Sequence, residues 1–307
     1  MLQVIVFSFN RALQLDTLLH TMLEHWKSPD YQLDVVYNSS SNDFQKGYDR
    51  LIRKLSRYSF IHFHKEQETT HRVSLLELLY PHNLKRWMQY SYLRYPRSNF
   101  RSLVIDLMEK SDASHIMFMT DDAMYVDDVN LNQKVFDWIL SNPLQNQYSL
   151  RVGIGMNDEE AHYSDNGEYL EWNFSKEKVS TNWGYRFSVD AHIYAKTTVL
   201  KLYKRNLFVN PNSLEGPVEG DARRSGLLDN GRGQRHAVLL SFPINMVQTV
   251  SDNETLGLST EKLNQYYLNG YTMRYPIPEK IDVFQIYPNH LIFSRNGVET
   301  MTKIDKL

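Results

Sequence analysis

Two rhythms of apolar and polar positions alternate along the first half of the chain. Val4 to Phe9 is a short apolar, β-branched run, the pattern of a buried strand, and it closes on Ser8, Asn10 and Arg11. Leu15, Leu18, Leu19, Met22, Leu23 and Trp26 then share one face at 3.6-residue spacing and predict a helix. Leu33 to Tyr37 reads as a second strand and leads into the polar run Asn38 to Asp43. Leu51, Ile52 and Leu55 mark a second helix, and Phe60 to Phe63 a third strand. A β-α-β-α-β order of this kind predicts an α/β fold, a mostly parallel sheet flanked by helices.

The pattern sharpens again at Leu103, Val104, Leu107 and Met108, one helical face. His115 to Met119 follows as a continuous apolar strand, expected to be central, and it runs directly into Thr120-Asp121-Asp122-Ala123. Further on, Leu131, Val135, Trp138 and Ile139 describe a helix. Alternation at Leu150, Val152, Ile154 and Met156, and at Phe187, Val189, Ala191 and Ile193, predicts two half-buried strands. A helix is expected from about Thr198 to Asn206. Asn210 to Arg235 is polar, Gly-rich and without visible period, which predicts a long binding loop, a lid or a disordered stretch. Ala237 to Phe242 reads as a strand, and Ser259 as the N-cap of a short helix that Gly270 ends.

Composition narrows the function. A length of 307 residues with 42% hydrophobic content suits one α/β domain with a C-terminal extension as well as two domains. The formal net charge of −2 argues against a nucleic-acid partner, because neutralising phosphates needs a basic surface. With no cysteine there are no disulfides, thiolate metal sites or thiol nucleophiles. The opening MLQVIVFSFNR has no basic n-region or cleavage site, and no apolar run approaches a membrane span, so the expected location is the cytosol.

Candidate chemistry collects where the predicted strands end. In an open α/β sheet, ligands bind at the carboxyl ends of the strands. Ser8, Asn10 and Arg11, then Asn38 and Ser39, then Asp121 and Asp122 all fall there. Two adjacent carboxylates after a buried strand resist joint ionisation unless a cation compensates them, and Mg²⁺ or Mn²⁺ held between carboxylates and substrate phosphates is one solution. A solvated turn or helix cap is the other. Asp190 and His192, two apart on a predicted strand, are expected on its polar face, where His192 could reach such a metal. Trp183-Gly184-Tyr185 could offer a stacking platform for a sugar. His62 and His64, without a carboxylate to pair with, read as structural. No G-x-S-x-G elbow, P-loop or G-x-G-x-x-G occurs.

VIVFSFNRALQLDTLL resembles the opening strand and helix of GT-A glycosyltransferases, and NFRSLVIDLMEKSDASHIMFMTDDAMYV resembles the helix and strand that deliver that family's DxD motif. GLSTEKLNQYYLNGY resembles a C-terminal segment of bacterial polysaccharide-assembly transferases. The resemblance covers roughly residues 1–250 by pattern, with 99–127 its specific part. It implies a GT-A domain over 1–250, with a nucleotide-binding half at about 1–128 and an acceptor half at about 129–250. Residues 251–307 then form an extension packed on the same domain. It implies a nucleotide-diphosphate sugar as donor, a carbohydrate or lipid-linked saccharide as acceptor, a divalent metal, and a place in cell-surface polysaccharide assembly with possible peripheral membrane assembly. By residue, it implies Ser8, Asn10, Arg11, Asn38 and Ser39 at the nucleoside, Arg101 at the diphosphate, Asp121 at the ribose or sugar, and Asp122 at the metal. Glu215, preferred over Glu219 and Asp221, is the implied base for the acceptor hydroxyl; Asp190, read from its strand face, is a second catalytic candidate that could touch the donor sugar or the acceptor. The sequence departs from a strict DxD, since Thr120 stands in its first position. A metal-dependent nucleotidyltransferase and a non-catalytic glycan-binding protein of the same fold stay open as alternatives, although SFNRALQ lacks the glycine-rich loop the former carries.

Overall fold

The structure, a computed structural model, describes residues 1–27, 30–69, 73–92, 97–156, 161–245 and 258–304. The expected rhythm is present at the start: β1 (Leu2–Phe9), α1 (Ala12–His25), β2 (Tyr31–Asn38), α2 (Asn42–Leu55) and β3 (Ile61–Lys65). A connection with a 3₁₀ turn at Leu75–Leu79 and the short α3 (Leu84–Tyr92) leads to α4 (Phe100–Lys110), β4 (His115–Thr120) and β5 (Ala123–Tyr125). Then come α5 (Gln133–Ser141), β6 (Asn146–Ser149), β7 (Tyr163–Asp165), β8 (Leu170–Asn173), β9 (His192–Ala195), α6 (Lys196–Arg205), α7 (Pro211–Arg224), β10 (Asn230–Gly233) and β11 (Leu239–Ser241). The chain closes with α8 (Thr260–Leu268), β12 (Thr272–Arg274), β13 (His290–Arg295) and β14 (Val298–Lys303).

Nine strands form one sheet in the order β3-β2-β1-β4-β9-β6-β10-β8-β7. The first four are parallel, β9 is antiparallel to both of its neighbours, and β10 lies parallel to β6. The order reverses between β1 and β4, so their carboxyl ends flank a topological switch point, where α/β sheets hold ligands. β1 and β4 are buried almost throughout, which explains their unbroken apolar runs. One core face carries Val4, Val6, Met117 and Met119 together with α1 and α2; the other carries Ile5, Phe7, Ile116 and Phe118 with α4, α6 and α7. Leu263, Tyr267, Met273, Phe284 and Phe293 belong to the first of these cores, and Thr17 Oγ1 donates to the Met273 carbonyl at 2.8 Å, so the C-terminal part packs on the same body. The expected boundary at 250/251 lies outside the described residues. Among the described residues no helix is long and apolar enough to cross a membrane.

Three local expectations are corrected. Asn210 to Arg224 is mostly helix, not loop: Pro211 occupies its first turn and Asn210 and Ser213 cap each other reciprocally. Leu214, Val218 and Ala222 supply a buried stripe at i, i+4 and i+8, a period that Gly216, Pro217 and Gly220 conceal in the sequence. The strand expected at 150–156 lies earlier, at Asn146–Ser149, where buried Asn146 and Gln147 interrupt the apolar signal. The strand expected from Phe187 to Ile193 begins only at His192, because Ala191 adopts φ +52° and breaks the alternation.

Gly231 on β10 faces Trp172 on β8, and a Cβ there would stand 2.3 Å from the indole. Trp172 in turn packs edge-on against Trp183, with ring centres 5.0 Å apart. Gly231→Ala is expected to destabilise the fold by about 1–3 kcal/mol through overpacking, read as a lower Tm. An unchanged Tm would mean that the indole moves aside freely.

Candidate active site

Chain direction brings the site together. The carboxyl ends of β1, β2 and β4 share one sheet edge, and antiparallel β9 begins at that edge, so Ser188 to Asp190 arrive beside the end of β4. β6 ends there too and delivers Arg151. Asn10 adopts φ +59°, and its side-chain amide ties two loops together: Nδ2 donates to Ser40 Oγ and Oδ1 accepts from the Ser40 amide, each at 2.8 Å. Asn38 Oδ1 accepts from the Ser39 amide at 2.8 Å, and Ser39 Oγ donates to Gln45 at 3.0 Å. Phe9 lies exposed between these groups.

Asp121 and Asp122 follow β4 but face different surroundings. Asp121 is 3% exposed and fully engaged: Ser8 Oγ donates to Oδ2 at 2.7 Å, the Phe9 amide at 3.3 Å, and Arg11 Nη1 reaches Oδ1 at 3.0 Å. The same Nη1 lies 3.2 Å from Asp122 Oδ2. Arg11 Nη2 donates to the Asn245 carbonyl, and Gln14 Nε2 to Asn245 Oδ1 at 3.1 Å. Burial lifts the Asp121 carboxyl to about 6, with Arg11 opposing that shift. Burial also acts to lower the Arg11 pKa, but Asp121 and Asp122 outweigh it and raise the guanidinium above its ordinary value. Asp121 is therefore not open to a ribose, which corrects that expectation, and Arg11 already supplies the cation the carboxylate pair requires. Asp122, with 18% of its side chain exposed, is the carboxylate of the pair that a ligand can approach.

Two more expected roles fail on contacts. His192 is fully buried, with Nε2 3.0 Å from Ser149 Oγ and Nδ1 2.8 Å from Gln147 Oε1. Burial, and then Arg151, hold its pKa well below the ordinary value, so it is a neutral sheet residue with both ring nitrogens engaged and not a metal ligand. Sequence alternation put Asp190 and His192 on one face; the left-handed turn at Ala191 sends them to different places. Arg101 does not reach a diphosphate site. Its guanidinium pairs with Glu77 at 3.0 Å and donates to the carbonyls of Lys204 and Asn206 at the end of α6. No group of three His, Asp or Glu side chains positioned to hold a metal occurs among the described residues. An ion bound mainly by ligand phosphates, the way Mg²⁺ is commonly bound, would have Asp122 as its protein carboxylate, the less buried of the pair.

Beside this turn opens a cavity of about 520 Å³, lined by Arg151, Asn182, Tyr185, Asp190 and Glu215 and closed on one side by Val283 to Tyr287. Thr120 Oγ1 donates to Asp190 Oδ1 at 2.7 Å, which joins the cavity to the end of β4. Arg151 lies 3.5 Å from Asp190, donates to Ser188 Oγ at 2.8 Å and to Asn182 Oδ1 at 3.0 Å, and stacks over Phe284. Glu215, from the first turns of α7, accepts the Val189 amide at 2.9 Å. Burial first, then the charge of Asp190, raise the Glu215 carboxyl to about 7. Burial likewise raises Asp190, against Arg151. Two neighbouring carboxyls and one guanidinium thus hold a proton near neutral pH, the range a general base needs.

Glu219 and Asp221 are not in this cavity; they pair with Arg223 and Arg205. Trp183 is a core residue stacked on Tyr163 and edge-on to Trp172, whereas its neighbour Tyr185 lines the cavity. His64 bonds Asp34 at 2.8 Å across β2 and β3, the partner that sequence did not reveal. Sequence reasoning also missed Arg151, whose one signal is a cation between Leu150 and Val152, and the whole 283–287 wall, which carries no signal.

No protein-family model matches the chain. Among curated proteins it is similar to the bifunctional glycosyltransferase pgtA of Dictyostelium discoideum, 22% identical over 302 residues, covering 86% of this chain. The match takes in 35% of that protein, so the chain spans about a third of its length. Among solved structures it is similar to S. aureus TarS 1-349 in complex with UDP-GlcNAc (TM-score 0.45, 12% identity, 78% of this chain and 57% of that one). It is also similar to the galactosyltransferase LgtC in complex with donor and acceptor sugar analogs (TM-score 0.36, 12% identity, 71% of this chain and 70% of that one).

Proposed function

We propose that the chain is a GT-A-type glycosyltransferase that moves a sugar from a nucleotide-diphosphate donor to a hydroxyl of a carbohydrate or lipid-linked saccharide in cell-surface polysaccharide assembly. One observation carries this reading: a cavity holding a carboxyl poised near neutral pH adjoins the turn that offers Asp122 at the switch point of the sheet. The similarity to the Dictyostelium glycosyltransferase supports it.

In this proposal the loops at Ser8 to Arg11 and Asn38 to Ser40 cradle the nucleoside, with exposed Phe9 available to stack on the base. Asp122 would hold Mn²⁺ or Mg²⁺ against the diphosphate, where such an ion stabilises the departing nucleoside diphosphate. The acceptor lies in the cavity, against Tyr185. Its hydroxyl oxygen attacks the anomeric carbon as the bond to the donor phosphate oxygen breaks, and the hydroxyl proton passes to Glu215. Asp190, anchored by Thr120 and Arg151, keeps Glu215 basic enough to take that proton. A single displacement of this kind inverts the anomeric configuration.

Thermal-shift measurements with UDP-, GDP- and CMP-sugars, with and without Mn²⁺, test the donor half. One of these sugars is expected to raise the Tm, more so with Mn²⁺, and Asp122→Asn to remove the Mn²⁺-linked part. If no nucleotide sugar moves the Tm under either condition, the reading fails.

A further inference from the structure

The connection between β3 and α4 carries a feature that donor and acceptor chemistry does not use. Leu75, Leu76, Leu79, Leu84, Met88 and Tyr92 are each more than half exposed. Three of them, Leu84, Met88 and Tyr92, fall at i, i+4 and i+8 and form one stripe on α3. Tyr90 packs the opposite side of the helix on Leu207 and Val209, with Trp87 against the same cluster, so the exposed stripe is not an inverted core face. Asn83 accepts from the Leu207 amide at 3.1 Å and donates to the Arg205 carbonyl at 3.0 Å, which fixes the segment to the body.

Charge distinguishes the possible occupants of this face. From Leu78 to Ile105 the sequence contains no Asp or Glu, while it carries Lys85, Arg86, Arg94, Arg97 and Arg101, in a chain whose net charge is −2. Glu77, the carboxylate nearest the exposed leucines in sequence, is mostly buried and paired with Arg101. Lys85 is exposed and Arg86 half-buried next to the apolar stripe. Protruding leucines and a methionine, bordered by cations and by aromatic residues with polar tips, have the chemistry of an interfacial membrane anchor. Its position agrees: a connection from the end of β3 to the start of α4 lies at the carboxyl edge of the parallel strands, the edge that carries Asp122.

We propose that the Leu75–Tyr92 face docks on the surface of an anionic lipid bilayer. Leu79 and Met88 enter the acyl boundary while Lys85 and Arg86 meet the headgroups, so the carboxyl edge of the sheet faces the membrane. This goes beyond the transferase reading, and its test uses no sugar.

Co-sedimentation of the full chain with phosphatidylcholine vesicles, with and without phosphatidylglycerol, reads the partition directly. Binding is expected to the anionic vesicles and to weaken as salt rises. Lys85→Glu/Arg86→Glu should lower it at least about 25-fold, since each cation near such a surface contributes roughly 5-fold. Leu79→Ser/Met88→Ser should lower it at least about 10-fold by removing inserted apolar surface. None of these side chains is buried, so the Tm of every variant should match the parent's. Absence of binding to anionic vesicles, equal binding to neutral ones, or variants that bind like the parent would overturn the proposal. So would a concentration-dependent dimer that Leu79→Ser/Met88→Ser abolishes, because the face would then belong to a second copy.

Discussion

Glu215→Gln is expected to lower turnover by roughly 10²–10⁴-fold, the usual contribution of a positioned base, while leaving donor binding unchanged. The amide keeps the oxygen that accepts the Val189 N–H and fills the same space, so the loss reports on proton transfer and not on shape. Turnover of the parent enzyme should rise with pH through about 7, as the carboxyl raised by burial and by Asp190 gives up its proton. The variant should lose that limb of the profile.

Stability should move the other way. In the folded chain the Glu215 pKa is about 7, above its ordinary 4.5, so folding favours the protonated form. Its stabilising contribution is complete below about pH 4.5 and is lost as the pH rises through 7. Glu215→Gln should therefore match the parent's unfolding free energy at pH 4–5 and exceed it at pH 8 by an amount on the order of a few kcal/mol, read by chemical denaturation. Loss of activity joined to a gain in alkaline stability is the mark of a charge kept buried for function. A variant with parental turnover, or one less stable at every pH, would remove Glu215 from the base role.

Arg11→Met is expected to cost about 3–5 kcal/mol of stability, because it leaves a buried carboxylate without its counter-ion. Asp121 is almost wholly buried, and the guanidinium compensates it while also holding the Asn245 carbonyl. The double variant Arg11→Met/Asp121→Asn should recover a large part of that loss, since the uncompensated charge is then gone. Chemical denaturation of the four proteins closes the cycle, with a coupling of about 1–3 kcal/mol expected. Additive losses would show that the two residues act separately and that Arg11 serves only the Asn245 segment. If Asp122 still supports Mn²⁺-linked donor binding in the double variant, the two carboxylates have separate duties, one structural and one toward the ligand.

How legible the site was depended on the range of the forces that set it. Asp122 stands out in the sequence because it follows the unbroken apolar run of β4, whereas Glu215 is reached only through the family resemblance, since Gly216, Pro217 and Gly220 hide the period of α7. Asp121 could not be distinguished from Asp122 by adjacency alone. Their difference comes from Arg11, 110 residues earlier, entering beneath one carboxylate and beside the other. Arg101 looked available because nothing local opposes it, yet Glu77 and the carbonyls of α6 occupy its guanidinium. His192 looked like a partner of Asp190 because alternation assumes a regular strand. The left-handed Ala191 breaks that premise, and no feature of the amino-acid order near it announces the break.

By itself the amino-acid order determined the parallel β1–β4 half of the sheet and the edge where polar groups gather, because burial on both faces demands continuous apolar strands and chain direction sends their ends to one side. Tertiary structure alone decided which polar groups at that edge remain open to a ligand. Pairing with distant partners occupies Asp121, Arg101 and His192, and the Val283–Tyr287 wall, contributed from the far end of the chain, turns the space beside Glu215 into a cavity. Those pairings join residues from about 25 to more than 100 positions apart, a distance over which local patterns of polarity carry no information.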